Sequence, residues 1–138
     1  MKISTKGRYA LRMLTDIAAH QSESGSVALK DIAQRQGISK KYLEQIALVL
    51  TQSGLLRGSR GHQGGYRLTQ APEEITVAAI IRAAEGSLAP VACLETQPNA
   101  CERCHDCETL FIWEGLDRVI QQYLDGITLQ DVLHHARP

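Results

Sequence analysis

Aromatic side chains are scarce in this chain, with one Phe, one Trp and four Tyr among 138 residues. Its packing must therefore come from Leu, Ile, Val and Ala, a usage that suits a mostly helical protein. Long apolar runs are also missing. No stretch approaches the roughly eighteen consecutive apolar residues of a membrane-spanning helix. The basic start of the chain, from Met1 to Arg8, is followed by no apolar segment of the kind a secretory signal carries. The expectation is a cytoplasmic protein that engages no membrane. Cysteine is absent outside residues 93–107, where all four fall, which excludes a disulfide framework spread over the chain. Internal repeats and low-complexity segments are lacking too.

Net charge is zero, but the zero conceals a segregation. Residues 1–70 hold eleven Lys and Arg against four Asp and Glu, a net of +7. Residues 71–138 hold four against eleven, a net of −7. A basic half joined to an acidic half directs the first toward a polyanion and gives the second a different task. The length suffices for one domain, or a small domain with an appendage, and for a real core.

Helical periodicity runs through residues 8–20, where Ala10, Met13, Leu14, Ile17 and Ala18 form a stripe and Arg12, Asp16 and His20 fall off it. After a polar break, Leu29, Ile32 and Ala33 mark a short helix ending at Gly37. Ser39 is placed to cap a further helix whose apolar face is Tyr42, Leu43, Ile46, Ala47 and Leu50. Two short helices joined by a glycine turn form a helix-turn-helix pattern. Residues 55–57 and 66–68 read as short strands around a glycine-rich tip that carries Arg60. Pro72 marks a boundary, dividing a winged-helix head at 1–72 from a second part at 73–138. Helical spacing resumes over 74–84, fails over 86–107, and is strong over 109–125 through Ile112, Trp113, Leu116, Val119, Ile120, Tyr123 and Leu124. Gly126 is expected to stop that helix as a left-handed terminal glycine does. Thr128 to Asp131 resembles a capping box opening a last short helix. The fold class expected is mostly α, a winged helix-turn-helix domain with a β-hairpin wing and a long C-terminal helix.

A helix presented to a major groove meets base edges with polar groups near its N-terminal end. Here those positions are Ser39, Lys40, Lys41, Glu44 and Gln45. Lysines can meet phosphate or guanine, Gln45 suits adenine, and Glu44 can accept from a cytosine amine. Arg60 sits on a slim glycine-rich wing suited to a minor groove, and Lys2, Lys6 and Arg8 add possible phosphate contacts. The glycine run is no phosphate-binding P-loop, because no helix directly follows it.

Cys93, Cys101, Cys104 and Cys107 lie within fifteen residues, beside Glu102, Asp106 and Glu108. Thiolates this close repel one another unless a cation lies between them. An iron–sulfur cluster, a zinc site completed by Cys93 or His105, and four reduced, unliganded thiols all remain open from spacing alone. The further Cys-Pro of a ferredoxin-like electron carrier is absent. Cys104 and His105 are adjacent, but nothing suggests a third orienting group, so neither an enzyme nor a small organic substrate is expected.

Several ordered motifs resemble one family. Residues 4–10 (Ser-Thr-Lys-Gly-Arg-Tyr-Ala), Gly37-Ile38-Ser39 with Tyr42-Leu43-Glu44-Gln45, the wing Arg60-Gly61 with Gly64-Gly65-Tyr66, and Glu85-Gly86 are similar to the IscR/NsrR/CymR family of bacterial regulators. The resemblance covers nearly the whole chain. It implies a winged-helix homodimer on two-fold related double-stranded DNA, held through the helix over 109–125. It also implies an iron–sulfur cluster, 2Fe–2S or 4Fe–4S, on Cys93, Cys101 and Cys107, since this spacing matches one version of the family pattern. Cys104 is extra to that pattern. The histidine that cluster-assembly regulators place three residues after the last Cys is Leu110 here, and the acidic ligand that some nitric-oxide sensors take from the partner's first helix is matched by Arg8. Cys104 or His105 is then the candidate fourth ligand. Members without the cysteines act through a partner protein, so control by zinc, by thiol redox state or by a partner stands as the alternative. An alternative of another class is a metal-binding interaction protein that does not read DNA.

Overall fold

A computed structural model describes residues 2–23, 25–62 and 64–136 of the chain. The elements are α1 (Thr5–His20), α2 (Leu29–Gln36), α3 (Lys40–Gln52), the strands β1 (Leu56–Ser59) and β2 (Gly65–Leu68), then α4 (Val77–Glu85), α5 (Leu110–Asp125) and α6 (Leu129–Ala136). This is the mostly helical winged helix-turn-helix that the sequence pattern leads one to expect.

Capping sets the boundaries. Ser4 stands extended before α1, and its hydroxyl accepts the Gly7 N–H at 3.2 Å, so the helix opens a turn earlier than the apolar stripe suggests. Gly37 ends α2 at φ 65°, a left-handed conformation that glycine adopts without steric cost, with its N–H on the Ala33 carbonyl at 2.9 Å. Ser39 then caps α3 by accepting the Tyr42 N–H at 3.1 Å, as the sequence indicates. Thr128 and Asp131 form the expected capping box, each side chain accepting from the other's backbone N–H at 3.1 and 2.9 Å.

Two boundaries differ from expectation. The segment read as helix over 74–84 begins with a 3-10 turn, Pro72–Glu74, and α4 starts only at Val77. Ile75 and Thr76 are extended between the two, because the Ile75 carbonyl accepts the Leu129 N–H and the Thr76 hydroxyl caps α4 through the Ala79 N–H. Gly126 closes α5 from a right-handed conformation, φ −81°, and not as a left-handed glycine. The chain runs straight on into Ile127, whose carbonyl accepts the Val77 N–H at 2.8 Å, so no reversal is required. The strands also reach further toward the tip than the 55–57 and 66–68 reading, pairing Leu56 with Leu68 through to Ser59 with Gly65.

The main core gathers Met13, Leu14 and Ile17 of α1 with Ile32, Leu43, Ile46, Leu50, Leu56 and Leu68, and draws Ile75, Ile80 and Leu129 from the second half into the same cluster. Each such side chain contributes about 1.5–3 kcal/mol by leaving water. A smaller cluster of Val77, Ala78, Ile81 and Leu88 receives Ile3 from the N-terminus and Ile120 and Leu124 from α5. The apolar stripe of α5 therefore divides. Ile120 and Leu124 face the body of the protein, whereas Ile112, Leu116, Val119 and Tyr123 are exposed, the last two by 61% and 68%.

Asp16, off the apolar stripe by spacing, is nonetheless buried, with 3% of its surface open. Arg35 and Gln36 of α2 account for this. The Arg35 guanidinium donates to the carboxylate at 2.7 and 3.0 Å, and the Gln36 amide donates at 2.9 Å. Burial alone pushes the Asp16 carboxyl up, but the hydrogen bonds from Arg35 and Gln36, with the charges of Arg35 and His20, outweigh it and hold the group below its usual range.

Candidate nucleic-acid interface and cysteine loop

Ser39, Lys40, Lys41, Glu44 and Gln45 all stand exposed on the cap and first turns of α3. The wing lies beside them. Lys40 and Glu44 line, with Arg60, His62 and Tyr66 of the hairpin, a cleft of about 830 Å³ that also takes in Lys30 at the start of α2. Three fixed cations against one carboxylate give this cleft the sign that suits phosphate.

The wing is not a free hairpin. Val27, from the segment entering α2, pairs with Tyr66 as a third strand position, the two N–H groups donating reciprocally at 2.8 and 2.9 Å. Gly65 makes this approach possible, because a Cβ there would run into the Val27 carbonyl. The Ser26 and Ser59 hydroxyls meet at 2.8 Å on the same side. The direction of the wing is thus tied to the helix-turn-helix and not left to the hairpin alone. Of the tip, Gln63 lies outside the described residues.

The first helix is locked to α3 near the same surface. Tyr9 meets Tyr42 edge to face at 5.8 Å between ring centroids, and the Arg12 guanidinium lies 5.1 Å over the Tyr9 ring. The three remaining basic positions are dispersed in role. Arg8 is exposed and donates to the Thr5 hydroxyl at 3.2 Å, Lys6 is half-buried, and Lys2 lines a separate concavity of about 300 Å³ with Glu85 and Glu95 where the cysteine loop begins.

All four cysteines are free thiols, Cys101 exposed and Cys93, Cys104 and Cys107 half-exposed. Cys93 lies in a 3-10 turn, Ala92–Leu94. Cys101 and Cys104 bracket a turn closed by the Cys104 N–H on the Cys101 carbonyl at 3.1 Å. Cys107 stands three residues before α5, with its sulfur 3.4 Å from the Thr109 hydroxyl, and that hydrogen bond lowers its thiol below the usual range. As a donor set, accessible thiols on irregular chain fit a thiolate-bound metal group chemically. Their arrangement does not converge on one point: among the described residues no three of His, Cys, Asp and Glu are grouped to hold a metal ion.

The sequence signature of the Rrf2 family, described as iron-dependent transcriptional regulators, matches residues 3–135. The chain belongs to the Rrf2 family. It is 43% identical over 136 residues to the protein rrf2 of Nitratidesulfovibrio vulgaris, covering 99% of this chain and 89% of that one. The solved structure of CymR, titled the global cysteine regulator of B. subtilis, superposes with a TM-score of 0.82 at 37% identity and covers 99% of both chains. That of T. potens IscR gives 0.78 at 42% identity, covering 99% of this chain and 89% of the other. These similarities make the protein a winged-helix, DNA-binding transcriptional regulator and set aside the reading as an interaction protein that ignores DNA. They do not extend to a cofactor, since this Rrf2-family chain is similar both to IscR and to CymR.

Sequence reasoning found the polar face of α3, the wing and the thiols, because each is a local pattern. It passed over Val27 and gave no role to Tyr9 or Glu85, whose partners are distant in the chain.

Proposed function

We propose that this Rrf2-family regulator is a cytoplasmic homodimer that binds a two-fold related DNA site and whose DNA affinity is governed by the cysteine loop. The observation carrying the reading is the placement of the exposed Lys40 and Glu44 of α3 across one basic cleft from Arg60 of the anchored wing. In this reading Lys40, Lys41, Glu44 and Gln45 meet base edges, Ser39 and Arg60 meet the backbone and minor groove, and Lys2, Lys6 and Arg8 add phosphate contacts. The exposed stripe of α5, Ile112, Leu116, Val119 and Tyr123, supports pairing with a second copy. Functionally the chain divides at residue 72 into a reading head and a sensing and pairing part.

Cys93, Cys101 and Cys107 would hold an iron–sulfur cluster, with Cys104 as fourth donor, and such a group supplies a redox-sensitive centre. What the chain itself contributes is a loop over 86–107 whose order can change and whose first residues adjoin Glu85, in direct contact with the head. Anaerobic reconstitution with iron and sulfide is expected to give visible absorption and acid-labile sulfide, both lost on replacing Cys93, Cys101 or Cys107. A colourless protein retaining stoichiometric zinc would replace the cluster by zinc. Arg60→Ala is expected to weaken binding to the cognate duplex far more than Gln122→Ala on exposed α5; equal effects would refute the wing assignment.

A further inference from the structure

Among the described residues, the large apolar side chains that stand exposed are Phe111, Ile112, Leu116, Val119 and Tyr123 of α5, and one residue far from them, Leu48 of α3, exposed by 58%. Of the α5 residues, Ile112, Leu116, Val119 and Tyr123 form one face. Leu48 stands by itself as an exposed large apolar residue of α3, on a cleft that Ala28, Leu29 and Tyr66 also line.

Its position on the helix is informative. At about 100° per residue, Leu48 projects about 20° from Lys41, about 40° from Glu44 and about 60° from Gln45 around the axis. It lies about 140–160° from the buried Leu43, Ile46 and Leu50. It also lines the cleft with Lys40, Glu44 and Arg60. Leu48 is therefore continuous with the face of α3 read above as the groove face, about one turn beyond Glu44, and it belongs to neither buried cluster.

A leucine can neither donate nor accept a hydrogen bond, and it has no affinity for phosphate. Among the base edges in a major groove, the apolar feature is the C5-methyl group of thymine. We infer that Leu48 reads a thymine, packing against its C5-methyl group beside the pairs met by Glu44 and Gln45. This rests on α3 being the groove helix, and it adds an apolar position to a set of otherwise polar contacts.

The test uses the full-length protein and the duplex it selects from a randomised pool at fixed salt. Each thymine of that duplex is replaced singly by deoxyuridine, which removes the methyl group and keeps the base pair. Wild-type protein is expected to lose about fourfold in affinity at one thymine per half-site, the worth of one buried methyl-sized group. Leu48→Ala is expected to bind the parent duplex more weakly by a similar factor, to be indifferent to deoxyuridine at that position, and to respond as wild type does elsewhere. Its salt dependence should be unchanged, since no phosphate contact is lost, and Leu48→Met should restore the methyl sensitivity. The same deoxyuridine profile for wild type and Leu48→Ala would overturn the inference while leaving DNA reading by α3 intact. Failure of the wild-type protein to select any duplex would overturn the reading of α3, and Leu48 with it.

Discussion

The carboxylate of Glu85, the last residue of α4, accepts both the backbone N–H and the hydroxyl of Ser4, at 2.8 and 2.5 Å. Ser4 in turn caps α1 through the Gly7 N–H. One side chain thus fixes the start of the DNA-reading half to the point where the cysteine loop departs, since Gly86 follows directly. A turn further along α1, Tyr9 touches Tyr42 in the first turn of α3.

Gly7 tests this fixture. A methyl group there would fall against the Glu85 carboxylate. Alanine is favoured over glycine in a helix by about 0.5–1 kcal/mol, yet Gly7→Ala is expected to be neutral or destabilising in the wild-type protein. In a Glu85→Ala background the same change should stabilise. Thermal unfolding of the four proteins measures the coupling, and simple additivity would refute the contact.

The ion pair of Asp16 with Arg35 should be visible in pH dependence. The carboxyl of Asp16 is depressed in the folded protein, so the pair adds stability above its unfolded value, near pH 4, and that stability is lost as pH falls through the lower folded value. Arg35→Ala is expected to cost about 2–3 kcal/mol at pH 7, less than a fully buried pair because Arg35 is partly open to water. Urea titrations at pH 7 and below 4 check the sign: the gap from wild type should narrow in acid.

Gly65→Ala should separate wing position from wing chemistry. The added Cβ meets the Val27 carbonyl, so the two hydrogen bonds between Val27 and Tyr66 are expected to be lost, at about 1 kcal/mol each. DNA affinity should fall with them, and Arg60→Ala should then add little, because its guanidinium is already displaced. Fully additive losses of affinity would show that the Val27 pairing does not aim the wing.

Neighbouring residues of α5 should behave oppositely. Val119 is exposed by 61%, whereas Ile120 packs against the cluster of Val77, Ala78, Ile81 and Leu88. Val119→Glu is expected to give a folded monomer by sedimentation and far-ultraviolet circular dichroism. Ile120→Glu should lower the melting temperature markedly, since it places a charge in the smaller cluster. A Val119→Glu protein that still sediments as a dimer would move the pairing surface elsewhere.

What the sequence made legible was local. Ser39 and Gly37 announce a helix-turn-helix because a cap and a left-handed turn are set within three or four residues. The glycine-rich hairpin and the Thr128–Asp131 box are readable for the same reason. Asp16 was not, because its burial depends on Arg35, nineteen positions away and on another helix. Ile75 and Gly126 departed from their local patterns because backbone pairing between the starts of α4 and α6 overrides them. The four thiols were legible as a donor set, whereas their mutual placement depends on a loop with no periodic pattern to fix it.

Leu129 is fully buried in the same cluster as Ala10 and Met13. The core around the helix-turn-helix is therefore completed by a residue more than a hundred positions after the helix it covers. Such long-range closure makes folding of this core wait on residues of the second half. A fragment cut after the hairpin would lack the side chain that closes this core, so the helix-turn-helix is not a detachable, self-sufficient piece.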